Sequence, residues 1–120
     1  MFLLNSTLER DSMPVMEMAH CLIRLVNDQR YPWVLIIPTI PDVTDLHELE
    51  DSVYTEIMAT ARVMGAVMKT AFGVDKINTA AIGNMVPQLH VHIIARFKND
   101  KLFPKPVWGC EFTPYRDEEA

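Results

Sequence analysis

The sequence feature that constrains the fold most is a single long amphipathic helix, predicted from about Leu49 to Phe72. Apolar residues recur there at every third or fourth position, which is the period of one buried helical stripe. The stripe consists of Val53, Ile57, Ala61, Met64, Val67, Met68, Ala71 and Phe72. Gly73 follows at a position where a left-handed cap is expected, and acidic residues near the first turn suit the helix dipole. We expect the apolar side of this helix to pack against a sheet.

Two strands are predicted before the helix. Met16–Asn27 is interpreted as the first, because apolar and polar residues alternate most clearly in its second half. Trp33–Ile37 is a continuous apolar run of β-favouring residues, and the polar stretch between the two segments indicates a hairpin. Pro38 and Pro41 then bracket a loop, since prolines this close together prevent regular ladder bonding.

Two more strands are predicted after the helix, over Lys76–Ile82 and Gln88–Phe97. The short turn Gly83–Pro87 joins them, so they should pair antiparallel. The remaining residues, Lys98–Ala120, contain three prolines, which excludes a long helix there. We therefore expect a loop-rich C-terminal tail, in which Trp108 either covers an edge of the core or packs over a ligand or a partner.

Length and charge limit the possible partners. The chain has 120 residues, which fits one domain. Its net charge is −5, and no basic stripe is present that could neutralise a nucleic-acid backbone. A small anionic ligand is still compatible, because backbone N–H groups and neutral side chains can hold a phosphate.

The sequence also bears on location. No stretch approaches the length of a membrane span, and polar residues interrupt the apolar N-terminus before a secretory signal could form. The two cysteines, Cys21 and Cys110, lie in no metal or redox spacing, so we interpret both as unpaired thiols of a reducing compartment. A cytoplasmic location without a membrane partner is the resulting expectation.

The residues with the clearest chemical potential lie in the predicted last strand, where apolar and polar residues alternate. On a strand this pattern puts Gln88, His90 and His92 on one face. Alternate residues are about 7 Å apart, so the two imidazoles could contact one phosphate-sized group. Two other interpretations stay open: the histidines could be satisfied surface residues, or they could bind zinc. Candidates for a third zinc ligand show no helpful spacing, and they are His20, Cys21, His47 and Cys110.

This segment resembles the signature of the histidine triad superfamily, His-φ-His-φ-His-φ-φ with φ apolar. Its sequence here is Gln88-Leu89-His90-Val91-His92-Ile93-Ile94. The other elements occur in a similar order, and the resemblance covers about residues 15–97, with 98–120 as a tail. It implies one α+β domain over residues 1–120, with an antiparallel sheet of about five strands and one long helix. It also implies a homodimer.

The resemblance implies a role for each matching residue. His90 matches the family's nucleophile, which attacks the α-phosphorus of a nucleotide, expels the leaving group and forms a nucleotidyl-histidine that water hydrolyses. His92 matches the histidine that hydrogen-bonds the phosphate oxygens or the bridging leaving atom. Asn27 matches a ribose-contacting residue, and Asn84 lies where relatives have a polar loop residue, so both are expected to bind the nucleotide.

Two departures from the family pattern bear on activity. Gln88 replaces the first histidine, and its amide can form hydrogen bonds but cannot carry a proton charge. It could therefore orient His90 without giving acid–base help. Trp33 lies where many relatives have a further histidine. His47, near the start of the helix, is expected to be a surface or capping residue rather than a catalytic one.

The expected function is that of an enzyme that cleaves a nucleoside phosphoramidate or a dinucleoside polyphosphate, with a purine as the expected base. The nucleophile needs no metal and no cofactor. Two alternatives accompany this hypothesis. One is a nucleotide-binding or regulatory protein in which Gln88 and Trp33 have reduced turnover. The other is a zinc protein that uses His90 and His92 as ligands.

Overall fold

The structure is a computed structural model that describes residues 1–109 and 112–116. The described residues form two α-helices, five strands and one short 3-10 helix. In chain order the elements are α1 (Ser6–Asp11), β1 (Ser12–Glu17), β2 (Cys21–Val26), β3 (Trp33–Pro38), the 3-10 helix (Leu46–Glu48), α2 (Asp51–Phe72), β4 (Lys76–Ala80) and β5 (Val91–Arg96).

The strands form one sheet in the order β1-β2-β3-β5-β4, and each neighbouring pair is antiparallel. The central strand β3 is buried along its whole length. Its alternate residues face opposite sides of the sheet, so Val34 and Ile36 belong to one core cluster, whereas Trp33 and Leu35 belong to another. The predicted α+β fold, with a five-stranded antiparallel sheet and one long helix, is confirmed.

Helix α2 covers one face of the sheet. Its buried residues are Val53, Ile57, Thr60, Ala61 and Met68. Gly73 has a φ of 61° and caps the helix in the left-handed conformation, as predicted. The predicted stripe is wrong at its C-terminal end, because Val67, Ala71 and Phe72 are exposed. Ala71 has the same helical angle as the buried Val53, so the exposed last turn is not covered by the sheet as the first turns are.

The other face of the sheet is covered by α1 and by the C-terminal tail. Leu8 of α1 and Val107 of the tail are buried in the same cluster as Trp33 and Leu35. Helix α1 was not predicted. As predicted, residues 98–109 and 112–116 contain no helix or strand.

The first predicted strand, Met16–Asn27, is wrong as a single element because it spans a hairpin. The N–H of Met18 donates to the carbonyl of Cys21 at 2.8 Å and closes the turn between β1 and β2. The turn residues, Ala19 and His20, are neither glycine, proline, asparagine nor aspartate. The sequence therefore contained no turn signal at this position.

The last predicted strand, Gln88–Phe97, is too long because β5 begins only at Val91. The N–H of Leu89 donates to the carbonyl of Val43 at 3.0 Å, outside the sheet. On the other side, the pairing of β4 with β5 stops at His92. Only one of the two motif histidines therefore lies in the strand. The strand predicted over 76–82 is present as β4 and pairs antiparallel with β5, as expected.

Two sequence-based expectations concern thiols and membranes. Cys21 is a buried free thiol. Its burial raises the pKa of that thiol to about 11. Cys110 lies outside the described residues. Within residues 1–109 and 112–116, no helix combines the length and the apolar character that a membrane span requires.

Candidate functional site

A cavity of about 490 Å³ opens on the sheet face opposite α2. Its floor is formed by β3 and β5 through Trp33, Leu35 and His92. Its walls come from α1, from the loop after β4 and from the C-terminal tail. Wall residues from these three segments include Thr7, Leu8, Met85, Val86, Trp108 and Phe112. The volume and the apolar lining are typical of a small-molecule site.

His90 lies just before β5, and its side chain is buried. Its Nδ1 is 2.7 Å from the main-chain carbonyl oxygen of Gln88. Because a carbonyl can only accept, Nδ1 carries the proton and donates it to this bond. Burial lowers the pKa of His90, although the carbonyl of Gln88 acts in the opposite direction. The ring is therefore neutral at neutral pH, with an unprotonated Nε2.

His92 lies within β5 and is equally buried. The indole Nε1 of Trp33, on the neighbouring strand β3, donates to Nδ1 of His92 at 3.0 Å. Burial, together with the smaller effect of the neighbouring His90, lowers the pKa of His92 to about 3. Both imidazoles thus face the ligand cavity as neutral groups, with their ring centroids 4.9 Å apart.

Aromatic rings from the tail complete the surroundings of His92. The ring centroid of Trp108 is 5.1 Å from that of His92, in an edge-on arrangement. Phe112 packs edge-on against Trp33 at 5.6 Å. The indole nitrogen of Trp108 is buried and has no hydrogen-bond partner among the described residues. The tail therefore forms a wall of the cavity rather than only covering an edge of the core.

The amide of Gln88 points to the N-terminal segment. Its Oε1 accepts from the N–H of Asn5, and its Nε2 donates to the carbonyl of Leu3, both at 2.8 Å. Asn5 in turn caps α1, because its side chain accepts from the N–H of Thr7. Gln88 thus attaches the segment that forms one wall of the cavity, and its side chain is not among the cavity-lining groups.

The two predicted nucleotide-binding asparagines lie in different surroundings. Asn84 lines the cavity from the loop after β4. Asn27 does not line it, and its Oδ1 accepts from the N–H of Tyr115 at 2.8 Å. The structure therefore brings together His90, His92 and Asn84, whereas the side chains of Gln88 and Asn27 hold flanking segments.

The charge around the cavity is balanced. Arg10 contributes a cation to the lining, but it is paired with Asp11, with Arg10 Nε 2.8 Å from Asp11 Oδ1. A second cavity of about 320 Å³ adjoins His90, and the exposed His47 lines it. Among residues 1–109 and 112–116, no group of three or more metal-type ligands is assembled. The zinc hypothesis therefore lacks a third ligand within these residues.

Sequence reasoning missed several contributors to the site. Trp33 was noted only as a departure from the family pattern, and its bond to His92 depends on the register of two strands distant in sequence. Helix α1 had one signal, since Asn5 is a favoured N-cap residue. For Trp108 the sequence left two alternatives open, a core edge or a ligand or partner. The position of Phe112 had no signal, because a proline-rich tail has no periodic pattern that would show which side faces the sheet.

Comparisons with known proteins agree on one family. The model of the HIT domain matches residues 7–99. A histidine triad (HIT) protein from Sinorhizobium meliloti has a TM-score of 0.95 and 39% identity, with 98% of this chain and 88% of that chain covered. A histidine triad protein from Marinobacter aquaeolei has a TM-score of 0.96 and 37% identity, with 98% and 87% covered. For one from Bradyrhizobium japonicum the values are 0.94 and 34%, with 98% and 89% covered. Among curated proteins, none matches the chain.

Proposed function

This chain belongs to the histidine triad (HIT) family, and on that premise we propose that it binds a nucleotide and cleaves it at the α-phosphorus through His90. The substrate class is a nucleoside phosphoramidate or a dinucleoside polyphosphate. The observation that carries the proposal is the hydrogen bond from Nδ1 of His90 to the carbonyl of Gln88. Because that bond holds the only ring proton on Nδ1, Nε2 keeps the lone pair that a nucleophile needs.

The proposed reaction has two displacements at phosphorus. In the first, a bond forms between Nε2 of His90 and the phosphorus, while the bond from phosphorus to the leaving atom breaks. The leaving group takes the electron pair and receives a proton from water. In the second, water attacks the phosphorus, the bond to Nε2 breaks with its pair returning to His90, and the proton of the attacking water passes to solvent. The ring is cationic in the intermediate, where the carbonyl of Gln88 stabilises the N–H of Nδ1.

Other residues would act on binding. We assign to His92 the hydrogen bond to a phosphate oxygen or to the bridging atom, and to Asn84 a contact with the nucleotide from the cavity wall. The aromatic wall made by Trp108 and Phe112 suits a flat base, in agreement with a purine. Asn27 keeps its predicted ribose role only if its side chain exchanges Tyr115 for the ligand.

A catalytically weak nucleotide-binding protein is the second candidate. The observation that favours it is Gln88, which has no titratable group at the position of the first histidine and whose amide bonds to Leu3 and Asn5. We further propose that the chain acts as a single domain over residues 1–120, as a homodimer and in the cytoplasm. Light scattering on the purified protein gives the oligomeric state directly.

The test compares hydrolysis of an adenosine phosphoramidate and of a diadenosine polyphosphate by the wild type and by His90→Ala, each with and without a chelator. The matched control is His20→Ala, because His20 is an exposed histidine that pairs with Glu56 and lines neither cavity. We expect chelator-resistant turnover that is lost in His90→Ala, by about a thousandfold or more, and retained in His20→Ala. Samples of the wild type quenched with denaturant at alkaline pH, where a bond between phosphorus and an imidazole nitrogen survives, should contain a phosphorus adduct on His90.

The outcomes separate the candidates. Tight binding of AMP without turnover in the wild type would favour the binding protein. Turnover that survives in His90→Ala would exclude His90 as the nucleophile. Stoichiometric zinc in the purified protein, together with loss of activity on chelation, would favour the metal site.

A further inference from the structure

Trp33 lies on the central strand β3, and its side chain is buried beneath the cavity. Its indole Nε1 is 3.0 Å from Nδ1 of His92. An indole N–H can only donate, so Nδ1 of His92 must be the unprotonated acceptor in this contact. The contact therefore determines which nitrogen of His92 carries the proton.

The remaining nitrogen of His92 is then a donor. Burial holds the pKa of His92 at about 3, so the ring has a single N–H at neutral pH. With Nδ1 as the acceptor, this N–H is on Nε2. Within residues 1–109 and 112–116 the imidazole of His92 forms no other hydrogen bond, and it lines the cavity. His92 can thus offer one N–H to a ligand oxygen.

The two imidazoles consequently have opposite tautomers. His90 donates from Nδ1 to the carbonyl of Gln88 and keeps its lone pair on Nε2. His92 accepts at Nδ1 and has its proton on Nε2. One ring supplies a lone pair and the other supplies a donor, with the ring centroids 4.9 Å apart. A second proton on either ring, or the other tautomer of His92, would remove this complementarity.

We propose that Trp33 is a positioning residue of this site, which fixes the tautomer of His92 so that Nε2–H binds an oxygen of the ligand. The inference rests on the proposed function in one respect, namely that this oxygen belongs to the phosphoryl group attacked by His90. In that step His92 keeps its proton, because a neutral imidazole that lost its only N–H would become an anion. The proton for the leaving group therefore comes from water.

The first measurement is nitrogen NMR of histidine-labelled, unliganded protein, with the exposed histidines assigned by His20→Gln and His47→Gln. Long-range proton–nitrogen correlations distinguish the two tautomers of each ring. We expect Nε2–H for His92 and Nδ1–H for His90 in the wild type. If the wild-type His92 carries its proton on Nδ1, the proposal is overturned without any variant.

The second measurement compares Trp33→Phe with Tyr31→Phe. Trp33→Phe keeps a buried aromatic ring but removes the N–H. Tyr31→Phe removes a polar atom from a ring of the same core cluster, and its hydroxyl has no partner among the described residues. We expect His92 to populate both tautomers in Trp33→Phe, with AMP affinity and turnover each lower by about tenfold. Tyr31→Phe should match the wild type in all three readouts.

Each result has a distinct meaning. A single Nε2–H tautomer that persists in Trp33→Phe would overturn the role of Trp33, and so would mixed tautomers with unchanged AMP affinity. Absence of turnover in the wild type would contradict the proposed enzyme. In that case the tautomer spectra and the AMP titration still decide the role of Trp33.

Discussion

Strand β5 has a buried polar cluster at each end, and the two clusters are built in opposite ways. Near its C-terminal end, Arg96 donates to both carboxylate oxygens of Asp100 at 2.9 and 3.0 Å, and to the side chain of Asn78 at 3.1 Å. Its guanidinium also lies 5.4 Å from the ring of Tyr31 and 5.6 Å from that of Phe103. All three nitrogens of this charged group therefore have protein partners.

Near the N-terminal end of β5, the polar groups are neutral and only partly satisfied. His90 and His92 each bond one ring nitrogen to the protein and leave the other for the cavity. A buried charge is tolerated when its partners are complete, and such a cluster holds structure. Incomplete satisfaction at a cavity is the state expected where a ligand supplies the missing partner. Both clusters are buried, so burial does not distinguish the structural cluster from the functional one. The number of hydrogen-bond partners that the protein supplies to each polar group does.

The largest effect should come from breaking the complete cluster. Arg96→Ala leaves the carboxylate of Asp100 buried without its cation, so we expect a loss of about 3–5 kcal/mol in the free energy of unfolding. Urea unfolding measures it. Lys101→Ala, an exposed cation of the same loop, is the control and should change stability by at most about 0.5 kcal/mol. Equal effects of the two substitutions would contradict the structural role given to Arg96.

The contributions of the two clusters to the stability of the fold should also be lost in different pH ranges. The folded state favours neutral His92, because its pKa is lowered from 6.5 to about 3. The contribution of His92 to the free energy of unfolding is therefore fully present above pH 6.5 and is lost as the pH decreases towards 3. For Asp100, with its pKa lowered from 3.8 to about 2, the stability is present above pH 3.8 and is lost as the pH falls towards 2.

Unfolding at a series of pH values tests the upper window. Between neutral pH and pH 4 we expect a loss on the order of 2 kcal/mol that is reduced in His92→Gln, because this variant has no imidazole to protonate. Parallel curves for the wild type and His92→Gln in this range would show that His92 is not the group responsible.

Substitutions of Gln88 test whether its amide is structural, like the cluster around Arg96, or functional, like the cluster around His90 and His92. If its amide is a structural clamp, Gln88→Leu should cost about 1–2 kcal/mol and expose the amide of Asn5 to hydrogen exchange. Gln88→Glu keeps the acceptor for Asn5 but places a carboxylate oxygen against the carbonyl of Leu3, where two acceptors repel, so it should also lower the stability. A variant with normal stability and protection but lower turnover would instead support the catalytic role predicted from the sequence.

The smallest effect is expected at Tyr31, whose ring packs against the Arg96 cluster. The hydroxyl of Tyr31 is buried and has no partner among the described residues, although its ring contacts Arg96. Tyr31→Phe keeps the ring and should change the free energy of unfolding by about 0.5 kcal/mol or less. Thermal melting detects a larger change, which would mean that the hydroxyl contributes to the cluster after all.

The fold was largely predictable because its long elements have clear periodicity. Helix α2 and the strands β3 and β4 follow from patterns of apolar residues within short windows. The hairpin between β1 and β2 was missed because its turn, at Ala19 and His20, uses residues without turn preference. The start of β5 was predicted too early, because the N–H of Leu89 bonds to the carbonyl of Val43 instead of to a strand. These two segments are far apart in the sequence, and no sequence pattern relates them.

The site was predictable only in part. The alternation around His90 and His92 predicted two imidazoles that approach one ligand, and both line the cavity. Their hydrogen-bond partners were not predictable, because Trp33 reaches His92 through strand register and Gln88 reaches the N-terminal segment through tertiary packing. A pattern gives the side on which a residue lies, whereas a partner depends on the whole fold.

The walls of the ligand cavity come from α1, from the loop after β4 and from the tail, all outside the core that α2 forms with the sheet. The cavity walls are therefore separate from the helix-side core, although Leu8 and Val107 also belong to the second core cluster. Substitutions at wall residues such as Thr7, Trp108 or Phe112 can reshape the cavity while the helix-side core is untouched. Changes at the exposed positions of these walls can thus alter what the cavity accepts while the core between α2 and the sheet keeps the fold.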